Sequence, residues 1–301
     1  MTPAAPSSPA EAARTLWLRT EPLHAVVYFD PECRSLGRSL GLKGFWHSYF
    51  PLRVGPLGAV GAALAGSVLG AFAPGTVARA LPAAWEVVPP ERAVAERGRA
   101  SAAALRRAVP GIEELAEELA TPSAALTAMV EDAPTLARPL FAANQPLHAS
   151  IGDPVERLWQ LATSLREFRG DAHLAVLADH GLDGIESLVL AAATGRVPAE
   201  TMRVDRGWTE DEWAVASERL AVRGLVDAGG RATPQGAAQR QEIEDATDRL
   251  AARLLRPVSG AGADPVALAR LLERLAEPAR LLHTAGIPPR GNPIGLPGAQ
   301  T

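Results

Sequence analysis

The chain has one cysteine, Cys33, one lysine, Lys43, two tyrosines and three methionines in 301 residues. A single thiol excludes an internal disulfide, and the first twenty residues lack the basic start and apolar run of a secretion signal. A reducing, cytoplasmic setting is therefore expected. With one lysine and a net charge of −4, the overall balance offers no attraction for nucleic acid or an acidic membrane. Aromatic residues make up only 5% of the chain and β-branched residues are sparse, while Ala and Leu dominate, so intrinsic propensity favours helix over strand. The expected class is all-α. The P-loop, a G-x-G-x-x-G turn after a strand, H-E-x-x-H and G-x-S-x-G are missing as well, so no motif names a reaction, a metal or a cofactor.

A long uninterrupted apolar run is also lacking. The nearest approach is residues 54–78, which carry no charge between Arg53 and Arg79 but include Gly55, Pro56, Gly58, Gly61, Gly66, Gly70, Pro74 and Gly75. Leu57, Val60, Leu64, Val68 and Phe72 fall on one helical stripe, and Gly66 with Gly70 forms a small-xxx-small pair. Gly and Ala make the segment weakly hydrophobic, which favours a buried helix pressed against its neighbours over a membrane span.

What is present is helical periodicity punctuated by Gly and Pro. Residues 1–8 and 287–301 read as tails, 9–148 as a helical region suited to a small molecule, 153–256 as a second unit and 257–286 as a last helix. Glu113, Glu114, Glu117 and Glu118 read as a solvated face. Val155, Leu158, Trp159, Ala162 and Leu165 form one apolar stripe that ends at Arg169 and Gly170. Asp171 then reads as the N-cap of a further helix, with Gly181 after its end. Asp183 with Glu186 and Thr209 with Glu212 have capping-box spacing, and Thr194-Gly195 is a stop. A short hairpin is expected around Leu225-Val226, Gly229-Gly230 and Arg231 to Thr233, followed by a long helix from Pro234 to about Arg256. Asp264-Pro265 opens the last helix, whose stripe of Leu268, Leu271, Leu275 and Leu282, together with the helix from Pro234, makes a candidate homodimer surface.

Helix, helix, helix, short hairpin, helix is the order of a winged helix-turn-helix, here in degenerate form behind a helical N-terminal region. The run ERLAVRGLVDAGGRATPQGAAQR, Glu218 to Arg240, resembles the recognition helix, wing and following helix of the MarR-like winged-helix regulators. With its RPLFAANQPL and LREFRGDAHLAVLADHGLDGIE segments, the chain as a whole resembles an actinobacterial helix-turn-helix family. These resemblances imply transcription regulation and supply no catalytic residue.

Affinity for duplex DNA comes chiefly from Lys and Arg meeting phosphates. Between positions 203 and 253 there are eight arginines and ten acids, and the helix that would enter the major groove opens with Glu210, Asp211 and Glu212. Those carboxylates suit the helix dipole but repel phosphate. Arg206, Arg219, Arg223 and Arg231 remain as candidate DNA contacts.

Seven of the 14 aromatic residues lie between positions 17 and 50, together with both tyrosines, two of the six histidines, Cys33 and Lys43. His24 and Tyr28 share a helical face, and His47, Tyr49 and Arg53 lie on the next element. Arg166 and His173 form a second polar group, and His180 lies too far along for easy joint metal binding with His173. The competing reading is an aromatic core whose polar tips reach backbone partners. The reading adopted is a ligand-responsive winged-helix regulator whose small molecule meets His24, Tyr28, His47, Tyr49, Arg53, Arg166 and His173. The alternatives are an enzyme or cofactor-binding protein of secondary metabolism, which would use the same pocket with the winged helix as scaffold, and a non-enzymatic interaction protein.

Overall fold

The computed structural model describes Pro6 and residues 8–255, 265–289, 291–292 and 294–296. Helix α1 (Pro9–Phe29) starts where the Ser8 side chain accepts the Glu11 N–H with Pro9 at the first helical position. Asp30 ends it, held extended ahead of Pro31, and its carboxylate accepts the Glu32 and Cys33 N–H groups to start α2 (Pro31–Ser39). Cys33 is buried, with its thiol pushed up to about 12 by that burial and by Asp30.

After α3 (Phe45–Val54) the Gly-rich segment departs from expectation. It breaks into a 3-10 turn, Gly55–Leu57, then α4 (Ala62–Leu69) and α5 (Pro74–Ala78). The stripe is split because Gly58 and Gly70 take left-handed φ values of 82° and 63°, which end each piece. Val68 and Phe72 are buried, whereas Leu64 is 50% exposed. No single described helix is long and apolar enough to cross a membrane; Phe45–Leu57 and Ala62–Leu69 reach that length only together, across an 89° bend.

Four helices, α6 (Pro90–Ala108), α7 (Ile112–Leu119), α8 (Ala125–Glu131) and α9 (Pro139–Asn144), pack around α10 (Pro154–Asp179). Asp153 caps α10 by accepting the Val155 and Glu156 N–H groups, and the helix does not stop at Gly170. Asp171 is therefore not an N-cap: it lies mid-helix and accepts the Phe141 N–H at 2.8 Å. Tertiary packing against α1, α9 and α14 (Pro234–Ala251) outweighs the roughly 1 kcal/mol that a mid-helix glycine costs. His173 likewise sits in the helix interior, not in a first turn.

Beyond α10 come α11 (Gly184–Ala193), α12 (Ala199–Arg206) and α13 (Glu210–Val222), and both expected capping boxes are formed. Helix α12 was not legible from its pattern. The three helices of the unit are thus α11, α12 and α13, and the one expected from Asp171 is the end of α10. Helices α12 and α13 meet across Gly207-Trp208-Thr209, with Gly207 at φ 77°, the short glycine-containing turn of a helix-turn-helix. The hairpin shrinks to one isolated antiparallel bridge, Val226 to Ala232, so the all-α class holds. Helix α14 runs into a 3-10 turn, Ala252–Leu255, and α15 (Pro265–Thr284) closes the described fold; Arg256 and the expected cap Asp264 lie outside the described residues.

The largest core joins α1, α6, α7, α8, the first two-thirds of α10 and α15. A second gathers around α3, α4 and α5, and a third holds the last turns of α10 with α11, α13 and α14. Helix α10 therefore belongs to both halves. Leu271, Leu275 and Leu282 of α15 are buried within the chain against the face built by α1.

Candidate functional site

A cavity of about 670 Å³ opens where α1, α3, the α4–α5 connection, α10 and the helix-turn-helix unit converge. That volume lies in the range of small-molecule sites.

One wall is aromatic. Trp46 and Tyr49 project from α3 at i and i+3 and meet Phe72, with ring centroids 5.3 Å and 5.4 Å away, and Tyr28 of α1 packs on Tyr49 at 5.4 Å. Three rings of this wall already carry a cation: Arg34 lies over Phe45 at 4.9 Å, Arg53 over Tyr49 at 5.8 Å and Arg206 over Phe72 at 4.5 Å.

Adjoining the aromatic wall is an arginine–carboxylate network gathered around α10. Glu167 takes Arg166 at 2.6 Å and Arg53 at 3.5 Å, and Arg53 donates to the Tyr49 hydroxyl at 2.5 Å. Burial opposes ionisation of Glu167, but Arg166 and Arg53 outweigh it and hold its pKa below the usual value. Burial also opposes the charge on Arg53, and Tyr49, Glu167 and Tyr28 more than restore it. Glu21 accepts from the Trp17 indole at 3.0 Å, and burial pushes its carboxyl up. Further along, Glu244 collects Arg240 at 2.6 Å, Arg169 at 3.3 Å and Arg196 at 3.5 Å; despite burial these cations bring it down to about 2.

Of the sequence-selected ligand residues, Tyr28, Tyr49, Arg53, Arg166 and His173 line this cavity. His173 is hydrogen-bonded to Thr247 at 3.1 Å, and burial with Arg240 lowers it to about 3, so it is neutral. His24 stands behind the wall, against Tyr28, stacked on Trp159 and hydrogen-bonded to Thr163 at 2.9 Å. Burial, then Arg166, Arg97 and Arg53, keep its ring neutral. His47 does not reach the cavity. No cluster of metal-ligating side chains occurs among the described residues.

The four arginines selected for DNA are dispersed. Arg206 lines the cavity, and burial lowers its pKa. Arg219 ties α13 to α11 through Asp183 at 2.7 Å and Glu186 at 2.8 Å. Arg223 donates to the His180 and Gly181 carbonyls at 2.9 Å, closing the end of α10. Arg231 alone stands out in solvent, near Asp227 at 3.5 Å. The outer face of α13 exposes Glu210, Asp211, Glu212, Val215, Glu218 and Val222.

Residues not chosen from the sequence as ligand contacts complete the site: Trp17, Phe72, Glu167, Arg169, Arg240 and Glu244. The spacing of Arg166, Arg169, Gly170 and His173 was a usable signal, since on an unbroken helix these share a side. Reading a helix end at Gly170 concealed it.

Fold and cavity together define an all-α protein in which a helix-turn-helix unit and an N-terminal helical layer share one pocket. Residues 13–289 match the sequence profile of a helix-turn-helix family, and the chain belongs to that family. No curated protein and no solved structure matches it. Membership makes a DNA-binding regulator the general expectation.

Proposed function

We propose that the protein is a ligand-responsive regulator in which a small molecule enters the shared cavity and resets the helix-turn-helix. The observation that carries this reading is the position of Arg206. It is the last residue of α12, one short turn before α13, and it forms part of the cavity wall. The same junction is strapped to the aromatic wall: the Ala73 N–H donates to the Arg206 carbonyl at 2.9 Å, and the Trp208 indole donates to the Ala71 carbonyl at 3.0 Å. Whatever displaces Phe72 or Arg206 acts on the turn that orients α13.

DNA contact in this reading is modest and runs through the wing at Arg231, with Arg219 and Arg223 held in structural bonds. The test fills the cavity from within. Leu174→Trp places an indole in the pocket from α10, and affinity for DNA upstream of the protein's own gene is measured by anisotropy across a salt titration. A shift of threefold or more against wild type supports ligand response; equal affinities for both proteins would sink it.

The acidic, partly apolar outer face of α13 favours a second reading, in which the helix-turn-helix contacts a protein partner. Under that reading no salt-dependent DNA affinity is measurable down to about 50 mM salt, where phosphate contacts are strongest.

A further inference from the structure

The cavity's charge and its unfilled hydrogen bonds narrow the class of ligand. Seven arginines line it against five carboxylates, Glu21, Glu167, Asp183, Asp205 and Glu244. Of the carboxylates, Glu167 and Glu244 are engaged by the arginines described above, and Asp183 by Arg219. The arginines are not all engaged. The Arg206 side chain makes no hydrogen bond or ion pair with any described residue, Asp205 included, and its Nε is buried without an acceptor. Arg53 Nε, Arg169 Nε and Arg240 Nη1 are also buried without acceptors. Buried donors are nearly always satisfied, because one left open loses its bond to water without replacement. Four such donors on residues that line one cavity, against one orphaned carboxylate oxygen, Glu21 Oε1, are an imbalance that an acceptor group from outside the chain would correct.

The aromatic wall, taken alone, would equally suit a cation, because aromatic faces attract positive charge. On Phe45, Tyr49 and Phe72 that use is already taken, although Trp46 and Tyr28 carry no such cation among the described residues. Arg34, Arg53 and Arg206 already stand over Phe45, Tyr49 and Phe72, so an incoming cation would meet both an occupied face and a like charge. Arg53 spends its edge on Tyr49 and Glu167, but Arg206 leaves its edge available, the hydrogen-bonding side that suits an oxyanion. A bare inorganic anion would satisfy the arginines and leave the apolar surface of Trp46, Val68, Leu174 and Met202 unused.

We propose that the cavity receives an organic anion with an apolar body, and that Arg206 is the receptor for its carboxylate or phosphate head. This deepens the ligand-responsive reading and rests on it. The head meets the Arg206 guanidinium edge at the Phe72 face, and the body lies along Trp46 and Tyr49. Because Arg206 ends α12, the charge that neutralises it sits at the entry to the turn before α13.

The full-length protein is titrated with benzoate, octanoate and phenyl phosphate, and with benzyl alcohol and benzylammonium as neutral and cationic counterparts. Binding is read by calorimetry and by tryptophan fluorescence, since Trp46 lies in the wall. The expected result is at least a tenfold preference for an anion over both counterparts, reduced to less than threefold in Arg206→Gln. Arg206→Lys, which keeps the charge and loses the planar fork, gives an intermediate value, and its far-UV spectrum controls for folding. Preference for benzoate and octanoate over phenyl phosphate assigns a carboxylate head, and the reverse a phosphate. Equal binding of benzyl alcohol, or an unchanged preference in Arg206→Gln, overturns the anion receptor while leaving a ligand cavity in place. Failure of all five probes at millimolar concentration overturns both. If an anion binds and promoter affinity does not move, the receptor stands and the regulatory reading falls.

Discussion

At the scale of single residues, two buried ionisable groups on α10 act on stability in opposite directions. Asp171 rises from 3.8 to about 6 because it is buried, partly offset by the Phe141 N–H. The folded state then holds its proton more tightly than the unfolded chain, so this group's contribution is present at low pH and is lost as pH rises from about 4 to about 6. Asp171→Asn keeps the acceptor and removes the charge; it should stabilise the protein by ~2 kcal/mol at pH 8, with no gain below pH 4, in thermal melts against pH. Equal melting temperatures at pH 8 would argue against a buried carboxylate there. His173 has the opposite sign. Its folded value of about 3 lies below the ordinary 6.5, so stability is lost as pH falls through that interval. His173→Asn should flatten the acid limb of the wild-type profile, and a parallel profile would contradict the assignment.

At the scale of elements, the helix-turn-helix is held by close approaches that tolerate no added carbon. A Cβ on Gly207 would fall 1.9 Å from the Thr76 hydroxyl, at a φ of 77° that side chains rarely adopt. Gly207→Ala should therefore cost about 2 kcal/mol or more and loosen α13, which hydrogen exchange would detect as lost protection confined to α12 and α13. Unchanged exchange would mean that the α5 contact does not position the unit. On the wing, Arg231→Ala should weaken DNA binding uniformly across sequences and reduce the salt slope by about one. An unaltered slope removes the wing as a phosphate contact. These elements were unevenly legible. The caps at Asp183 and Thr209 were readable because each depends on residues three positions apart. Helix α12 was not, because of its eight residues only Met202 is buried and so no stripe of core positions announces it.

At the scale of the whole molecule, α10 is the shared element, with Leu158, Trp159 and Phe168 in the first core and Val176 and Leu177 in the third. Near-ultraviolet and far-ultraviolet melts should coincide, because neither core is complete without α10. A fragment comprising residues 151–255 should melt without cooperativity, since it exposes the α10 face that α1 covers. Two separated transitions in the full chain would show instead that the halves fold independently. Helix α15 makes the same point about association. Its leucine stripe reads as a dimer surface in isolation, yet α1 supplies the partner within the chain.

The sequence by itself determined the all-α class, the capping boxes of α11 and α13 and the concentration of aromatic and polar chemistry between Trp17 and Arg53. Each follows from composition or from spacings within one helical turn or two. Only the tertiary structure decided that α10 runs unbroken through Gly170, that residues 54–78 form a bent strap instead of one helix, and that Arg206 faces the cavity. Those outcomes depend on contacts between residues more than a hundred positions apart, such as Trp208 with Ala71 and Arg206 with Phe72, whose energies are not written in any local pattern.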